Sequence, residues 1–159
     1  TDLMRAAQGK VALKTGAEGF FVAIIPEKKM GVALKVLEIY QRDEIFQKAA
    51  VTGEYLQKSL SQFNDHPLVG EVRGSGLLGA IELVANKEKG TPFAGGAVGG
   101  YAQKMAQDNG LLIRAVAGST LGFCPPLIIT EIQIDEMMGK VAIALDKTLE
   151  HCQHHGLLV

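Results

Sequence analysis

Apolar positions along the chain change period several times, and each change predicts an element. Residues 10–14 and 19–25 read as two strands, the second rich in aromatic and β-branched side chains that suit a pleated, half-buried surface. "TGAEG" supplies the turn between them, and "PEKK" at residues 26–29 makes a second turn, with Pro26 ending the strand. A helical spacing follows. Val36, Leu37, Tyr40, Ile45, Ala49, Leu56 and Leu60 recur at intervals of three and four, with a break or a new helix start at Asp43 and Glu44. "NDHP" closes this stretch. Residues 68–73 and 77–84 then read as strands joined through Gly74, Ser75 and Gly76, and "NKEKGTPFAGG" reads as a loop. Residues 97–109 predict a helix ended by Gly110, where a left-handed backbone is wanted. Residues 111–116 and 120–124 predict two more strands, punctuated by Pro125 and Pro126. Thr130 is placed to cap a last helix running to about Cys152, with Glu131 in its first turn, where the helix dipole favours an acid. The sum is an α+β pattern of short strands and amphipathic helices.

Composition narrows the class. A chain of 159 residues predicts one domain, with room for an appendage, and a hydrophobic fraction of 47% is enough to bury a core. The formal net charge is −1 with no basic stripe, which argues against a nucleic-acid partner. The longest clean apolar run is residues 20–25, far short of the ~20 residues that span a bilayer, so no membrane partner is expected. "TDLMRAAQGK" lacks the apolar centre of a signal peptide. Two cysteines, Cys124 and Cys152, make no disulfide framework and fit a reducing compartment. The expectation is a cytoplasmic globular chain.

Four features invite a chemical reading. Gly74, Gly76 and Gly79 match G-x-G-x-x-G, but "AIELV" after them alternates like a strand, and no clean acid sits about 20 residues on, so a turn between strands is favoured over a dinucleotide site. Arg114 in "GLLIRAV" sits within an apolar strand and needs a carboxylate: an internal acid such as Glu82, or the carboxylate of a substrate held bidentately. His151, Cys152, His154 and His155 cluster near the end and read as a solvated, frayed tail, with adventitious metal binding as the alternative; no metal site is assigned. Lys14-Thr15-Gly16 is the triplet that lines an edge strand in serine acyl-transfer enzymes of the penicillin-recognising type. Neither the Ser-x-x-Lys that such a triplet serves nor a Gly-x-Ser-x-Gly elbow occurs in the chain, and on chemistry alone Lys14 is an ordinary strand lysine.

Two resemblances cover different parts of the chain. From about residue 33 to 155 the sequence resembles the C-terminal part of class III aminotransferases, pyridoxal-phosphate (PLP) enzymes of fold type I. The matching stretches are "ALKVLEIYQRDEIFQKAAVTGEYLQKSL", "HPLVGEVRGSGLLGAIELV" and "GLLIRAVAGSTLGFCPPLIITEIQIDEM", together with the closing helix. From residue 1 to about 36 it resembles the C-terminal end of the asparaginase II family, through "TDLMRAAQGK", "LKTGAEG" and "PEKKMGVALKV". "GVALKV" suits both families, which suggests two fragments joined there.

The resemblances carry implications. The expected fold is an aminotransferase small domain over residues 37–159, a short, mostly antiparallel sheet covered by helices on one side, preceded by a β-hairpin over residues 1–36. Arg114 before Pro125-Pro126 matches the arginine that binds the substrate carboxylate in ω-aminotransferases and can swing away for an uncharged amine. Arg73 and Gly74 match a structural strand turn. Lys14 would be the lysine of the asparaginase-like strand. The parent reaction moves an amino group between an amine or amino acid and a keto acid. It needs PLP on a Schiff-base lysine, an acid on the pyridinium nitrogen and a phosphate cradle. In the family these groups lie upstream of the residues matched, so the chain alone is expected to bind no PLP and to be inactive. Two further readings are an asparaginase-type amidohydrolase remnant and a non-catalytic interaction domain. A small domain's bare apolar face should seek a partner, which makes a homo-oligomer the expectation.

Overall fold

The computed structural model describes residues 12–15, 21–25, 30–31 and 39–159. These fall into two compact units, one reaching to Phe46 and the other spanning Gln47–Val159.

In the first unit, β1 (Ala12–Thr15), β2 (Phe21–Ile25) and β3 (Met30–Gly31) form an antiparallel sheet in that order. The expected hairpin is present as β1–β2, with Lys14 opposite Val22, and β3 adds a third strand beside it. The expected "TGAEG" and "PEKK" turns lie largely outside the described residues, as does most of "GVALKV". Residues 39–42 are helical, and residues 43–44 turn, with Glu44 at φ +52°. The break expected at Asp43 and Glu44 is therefore real: a non-glycine residue in the left-handed region cannot continue a right-handed helix.

α1 (Ile45–Ser61) follows, and a single 3₁₀ turn (Gln62–Asp65) leads into β4 (Val69–Ser75). β4 and β5 (Leu78–Asn86) make a hairpin whose two loop residues are Gly76, at φ +55°, and Leu77. A first loop residue with positive φ followed by one with negative φ is the type II′ turn that matches strand twist, and glycine adopts it freely. The glycine motif is thus a hairpin, with the turn at Gly76-Leu77 rather than at residues 74–76. The expected loop after β5 contains β6 (Thr91–Pro92), which pairs with β5.

α2 (Ala97–Asp108), β7 (Arg114–Val116), β8 (Thr120–Phe123) and α3 (Glu131–His154) complete the chain. The sheet order is β4-β5-β8-β7, all antiparallel, with β6 off this path on β5. The strand expected at residues 111–116 is paired only over its last three residues. β7 is an edge strand, and Gln103 of α2 covers it: its Oε1 accepts the Ala115 N–H at 2.7 Å.

The helices lie on one face of this sheet. Leu56 and Leu60 of α1, Ile81 and Leu83 of β5, Leu121 of β8, and Ile134, Val141 and Leu145 of α3 are almost completely buried. Gly79 marks the closest approach, since a Cβ there would stand 2.3 Å from Leu60 Cδ1. Thr130 caps α3 as expected, and Gln133 completes a capping box by reaching back to the Thr130 N–H at 3.0 Å. Both α2 and α3 close with Schellman motifs: Leu111 N–H donates to Ala106 O and Leu157 N–H to Cys152 O, each at 2.9 Å, past Gly110 and Gly156 in the left-handed region. The C-terminus is not frayed as expected. The helix runs through His154, and Val159 N–H donates to Ala85 O on β5.

Candidate functional site

Cross-strand register decides which side chains share a face, because directly paired residues project to the same side of a sheet. Arg73 pairs with Ala80, Ala80 with Gly122, and Gly122 with Arg114. One row therefore crosses four strands as Arg73, Ala80, Gly122, Arg114, on the face away from the helices. The adjacent row is Glu71, Glu82, Thr120, Val116. The opposite parity, with Val72, Ile81, Leu121 and Ala115, faces the helical core.

Within this face the charges sort cleanly. Arg73 Nη1 lies 2.7 Å from Glu82 Oε2 and 2.7 Å from Glu71 Oε2. Its guanidinium is held above the ordinary arginine range, first by the Glu82 hydrogen bond. Glu82 was the internal partner considered for Arg114, and that pairing is overturned: Glu82 is engaged by Arg73 at the other end of the row. Arg114 itself is exposed and makes no ion pair among the described residues. Its cross-strand neighbour is a glycine, and a Cβ at Gly122 would meet nothing closer than 3.8 Å, so the space beside the guanidinium stem is open. An exposed arginine with no internal acid, on a strand whose edge is pinned by Gln103, can accept a carboxylate from outside the sheet.

A groove of about 390 Å³ adjoins this row. Leu111, Ile113, Phe123, Pro125, Pro126 and Met137 give it apolar walls, and Gln133, Glu136 and Lys140 of α3 give it a polar rim. Ile113 and Gly122, the chain and cross-strand neighbours of Arg114, both line it. Sequence reading missed this groove. Its signal was the apolar run at residues 111–113, which lines the groove instead of extending β7. Cys124 on its wall is exposed, whereas Cys152 is buried and its thiol is pushed up by that burial. The Lys14 backbone lies on β1 of the first unit, while the Lys14 side chain and Gly16 fall outside the described residues.

The comparisons agree on a family. The model for aminotransferase class-III matches residues 27–145, and the chain belongs to that family. A putrescine–pyruvate aminotransferase of Pseudomonas aeruginosa is 42% identical over 118 residues, which cover 74% of this chain and 26% of that protein. A probable mitochondrial gamma-aminobutyrate transaminase 3 of Oryza sativa subsp. indica is 34% identical over 151 residues, covering 94% of this chain and 29% of that one. Among solved structures, the omega transaminase of Pseudomonas jessenii in complex with PMP superposes with a TM-score of 0.71 at 40% identity, over 75% of this chain and 26% of that one. The chain spans between a quarter and a third of the length of these relatives. The mixed α+β fold, with a small antiparallel sheet and packed helices, is the one these neighbours share.

The family's cofactor is PLP, which asks for a free lysine, an acid facing the ring nitrogen and a phosphate cradle. The described residues do not fit it. Lys140, the lysine lining the groove, is tied to Glu136 at 2.6 Å, and the groove offers neither a second carboxylate nor a glycine- and hydroxyl-rich turn at a helix start. No helix among the described residues is long and apolar enough to cross a membrane.

Proposed function

We propose that this chain is the C-terminal part of a PLP-dependent, ω-type aminotransferase. Its contribution to that reaction is Arg114, which takes the carboxylate of an amino acid or keto acid. The observation that carries this reading is the contrast on one sheet face. Arg73 holds the acids Glu71 and Glu82, while Arg114, at the far end of the same row, faces open space beside Gly122. Amines and amino acids are the donors and keto acids the acceptors of the reaction. The family's names, among them those of a putrescine–pyruvate and a gamma-aminobutyrate enzyme, support that class. The reading takes residues 37–159 as the aminotransferase small domain, cytoplasmic, and homo-oligomeric through its exposed apolar residues Leu112, Ile128 and Ile132.

Among the described residues no lysine is placed to form the Schiff base, and the chain alone is expected to turn over nothing. A coupled assay with added PLP, pyruvate and several amines is the test. Rates at the blank level are expected. Turnover abolished by Arg114→Ala would overturn this part of the reading.

A second reading concerns residues 1–36 only, as an asparaginase II-like remnant. What favours it is the place of Lys14 on β1, an edge strand of its sheet among the described residues, which is where a Lys-Thr-Gly triplet would serve such an enzyme. Against it, the family match already begins at residue 27, and the rice protein's alignment covers nearly the whole chain. Ammonia release from asparagine, lost in Lys14→Ala, is the result that would raise this reading to an activity. None is expected.

A further inference from the structure

We infer that His151 and His155 form a two-point chelate for a late first-row divalent ion of the Ni²⁺ or Cu²⁺ kind, on the last turn of α3. His151 is in the last turn of α3 and His155, four residues on, is its C-cap; their rings meet on one side of the helix end with centroids 4.2 Å apart. Two imidazoles at this spacing are how a helix supplies two ligands to one metal ion.

The hydrogen-bond pattern assigns the tautomer. His155 Nδ1 lies 2.9 Å from the His151 carbonyl oxygen. A carbonyl oxygen can only accept, so Nδ1 carries the hydrogen and the neutral ring keeps its lone pair on Nε2. A backbone carbonyl holding the far N–H is also the support that metal-binding histidines use, because it orients the ring and raises its basicity. His151 is held differently. Its ring stacks on Tyr101 of α2 at 4.0 Å with an interplanar angle of 13°, and no hydrogen bond or ion pair among the described residues occupies its ring nitrogens. His151 lies within α3, and His155 is the residue that caps its end, at φ −100° and ψ 5°, held in place by the Schellman closure past Gly156. Both ligands are therefore oriented before any ion arrives.

The ligand set limits the metal. Among the described residues no three His, Cys, Asp or Glu side chains converge to enclose an ion, and Cys152, between the two histidines, is buried in the core. Water would complete the coordination sphere. An open, two-imidazole site without thiolate follows the general order of divalent affinities, in which Cu²⁺ leads and Ni²⁺ precedes Co²⁺. His154 stands outside the chelate, its ring turned 59° from that of His155.

Ni²⁺ is the probe, since it does not oxidise the exposed Cys124 as Cu²⁺ would. Calorimetric titration of the full chain near neutral pH should show a single site. His155→Ala and His151→Ala should each weaken it by about tenfold or more, given that losing even a supporting partner of a metal ligand costs 10–100-fold. His154→Ala should leave it within about twofold. Circular dichroism checks that each variant keeps its helix. If His151→Ala disturbs the stack on Tyr101 and unfolds, His155→Ala at an exposed position decides alone. Paramagnetic broadening by Ni²⁺ should reach the Tyr101 and His151 ring signals before those of His66. Binding unchanged in His155→Ala, equal loss in His154→Ala, or broadening that starts elsewhere would each overturn the chelate.

Discussion

Arg73 reaches across from β4 to β5 and places Nη1 2.7 Å from Glu82 Oε2, and this pairing leaves Arg114 without an internal acid. The pair is a half-exposed surface contact, with side-chain exposures of 45% and 38%. Its contribution to stability is therefore small, about 0.2–1 kcal/mol. Glu82→Gln should lower the unfolding free energy by less than about 1 kcal/mol, with a coupling to Arg73→Gln of the same size in a double-mutant cycle. A loss above about 2 kcal/mol would mean that the pair is desolvated in a way the described residues do not show.

Gly79 and Leu60 test the packing of α1 on the sheet. A Cβ at residue 79 would sit 2.3 Å from Leu60 Cδ1, and Leu60 is fully buried. Gly79→Ala should cost about 1–3 kcal/mol by overpacking. That cost should shrink in a Leu60→Val background, which has no Cδ methyl to compete for the space. Urea melts read both numbers, and strictly additive effects would contradict the contact.

Ala117 carries stored strain. It takes φ +43° in the β7–β8 hairpin, beside Gly118. The left-handed region costs an L-residue ~1–2 kcal/mol; glycine escapes this, but it raises the entropy of the unfolded chain, which offsets part of the gain. Ala117→Gly should raise stability by about 0.5–1 kcal/mol with an unchanged urea m-value. A lowered midpoint would refute the strain.

His66 links stability to pH. Its Nδ1 accepts the Leu68 N–H at 3.2 Å, and Nε2 points at Asp146 Oδ1, 3.4 Å away and longer than a good hydrogen bond. Burial holds the ring below the ordinary histidine range, and Asp146 opposes this only in part. A depressed folded pKa means that the unfolded chain binds the proton more readily. Stability from this group is then complete above the unfolded value of about 6.5 and falls as pH drops through the folded one. His66→Asn, whose Oδ1 can still accept the Leu68 N–H, should flatten that slope. Urea midpoints taken on both sides of neutrality compare the two, and equal slopes would contradict the burial argument.

Much of the fold was legible because its signals are local. The break at Asp43 and Glu44 shows as two acids interrupting an apolar period, and Glu44 does leave the helical region. Thr130 reads as a cap because its hydroxyl can reach the N–H of Gln133, as it does. What escaped depended on partners far along the chain. The hairpin turn fell at Gly76-Leu77 because Ser75 pairs with Leu78, and a row of glycines does not reveal register. Residues 111–113 have strand composition, yet they wall a groove against α3. Glu82 looked available to Arg114 until register set Arg73 beside it. The histidines read as a frayed tail because a single glycine near a terminus does not reveal that it closes the helix, which depends on the Leu157 N–H reaching back to Cys152 O.

The most direct measurement is steady-state kinetics in a chimera. Residues 47–159 would replace the matching C-terminal part of the Pseudomonas aeruginosa putrescine–pyruvate aminotransferase, with which this chain shares 42% identity over 118 residues. In a chimera that turns over, Arg114→Leu should raise KM for pyruvate by about 10- to 100-fold, the loss of one charge-assisted carboxylate contact of ~1.5–3 kcal/mol, and leave KM for an amine donor that carries no carboxylate nearly unchanged. An Arg114→Leu chimera with the parent KM for pyruvate would contradict the assignment of Arg114 as the carboxylate-binding residue.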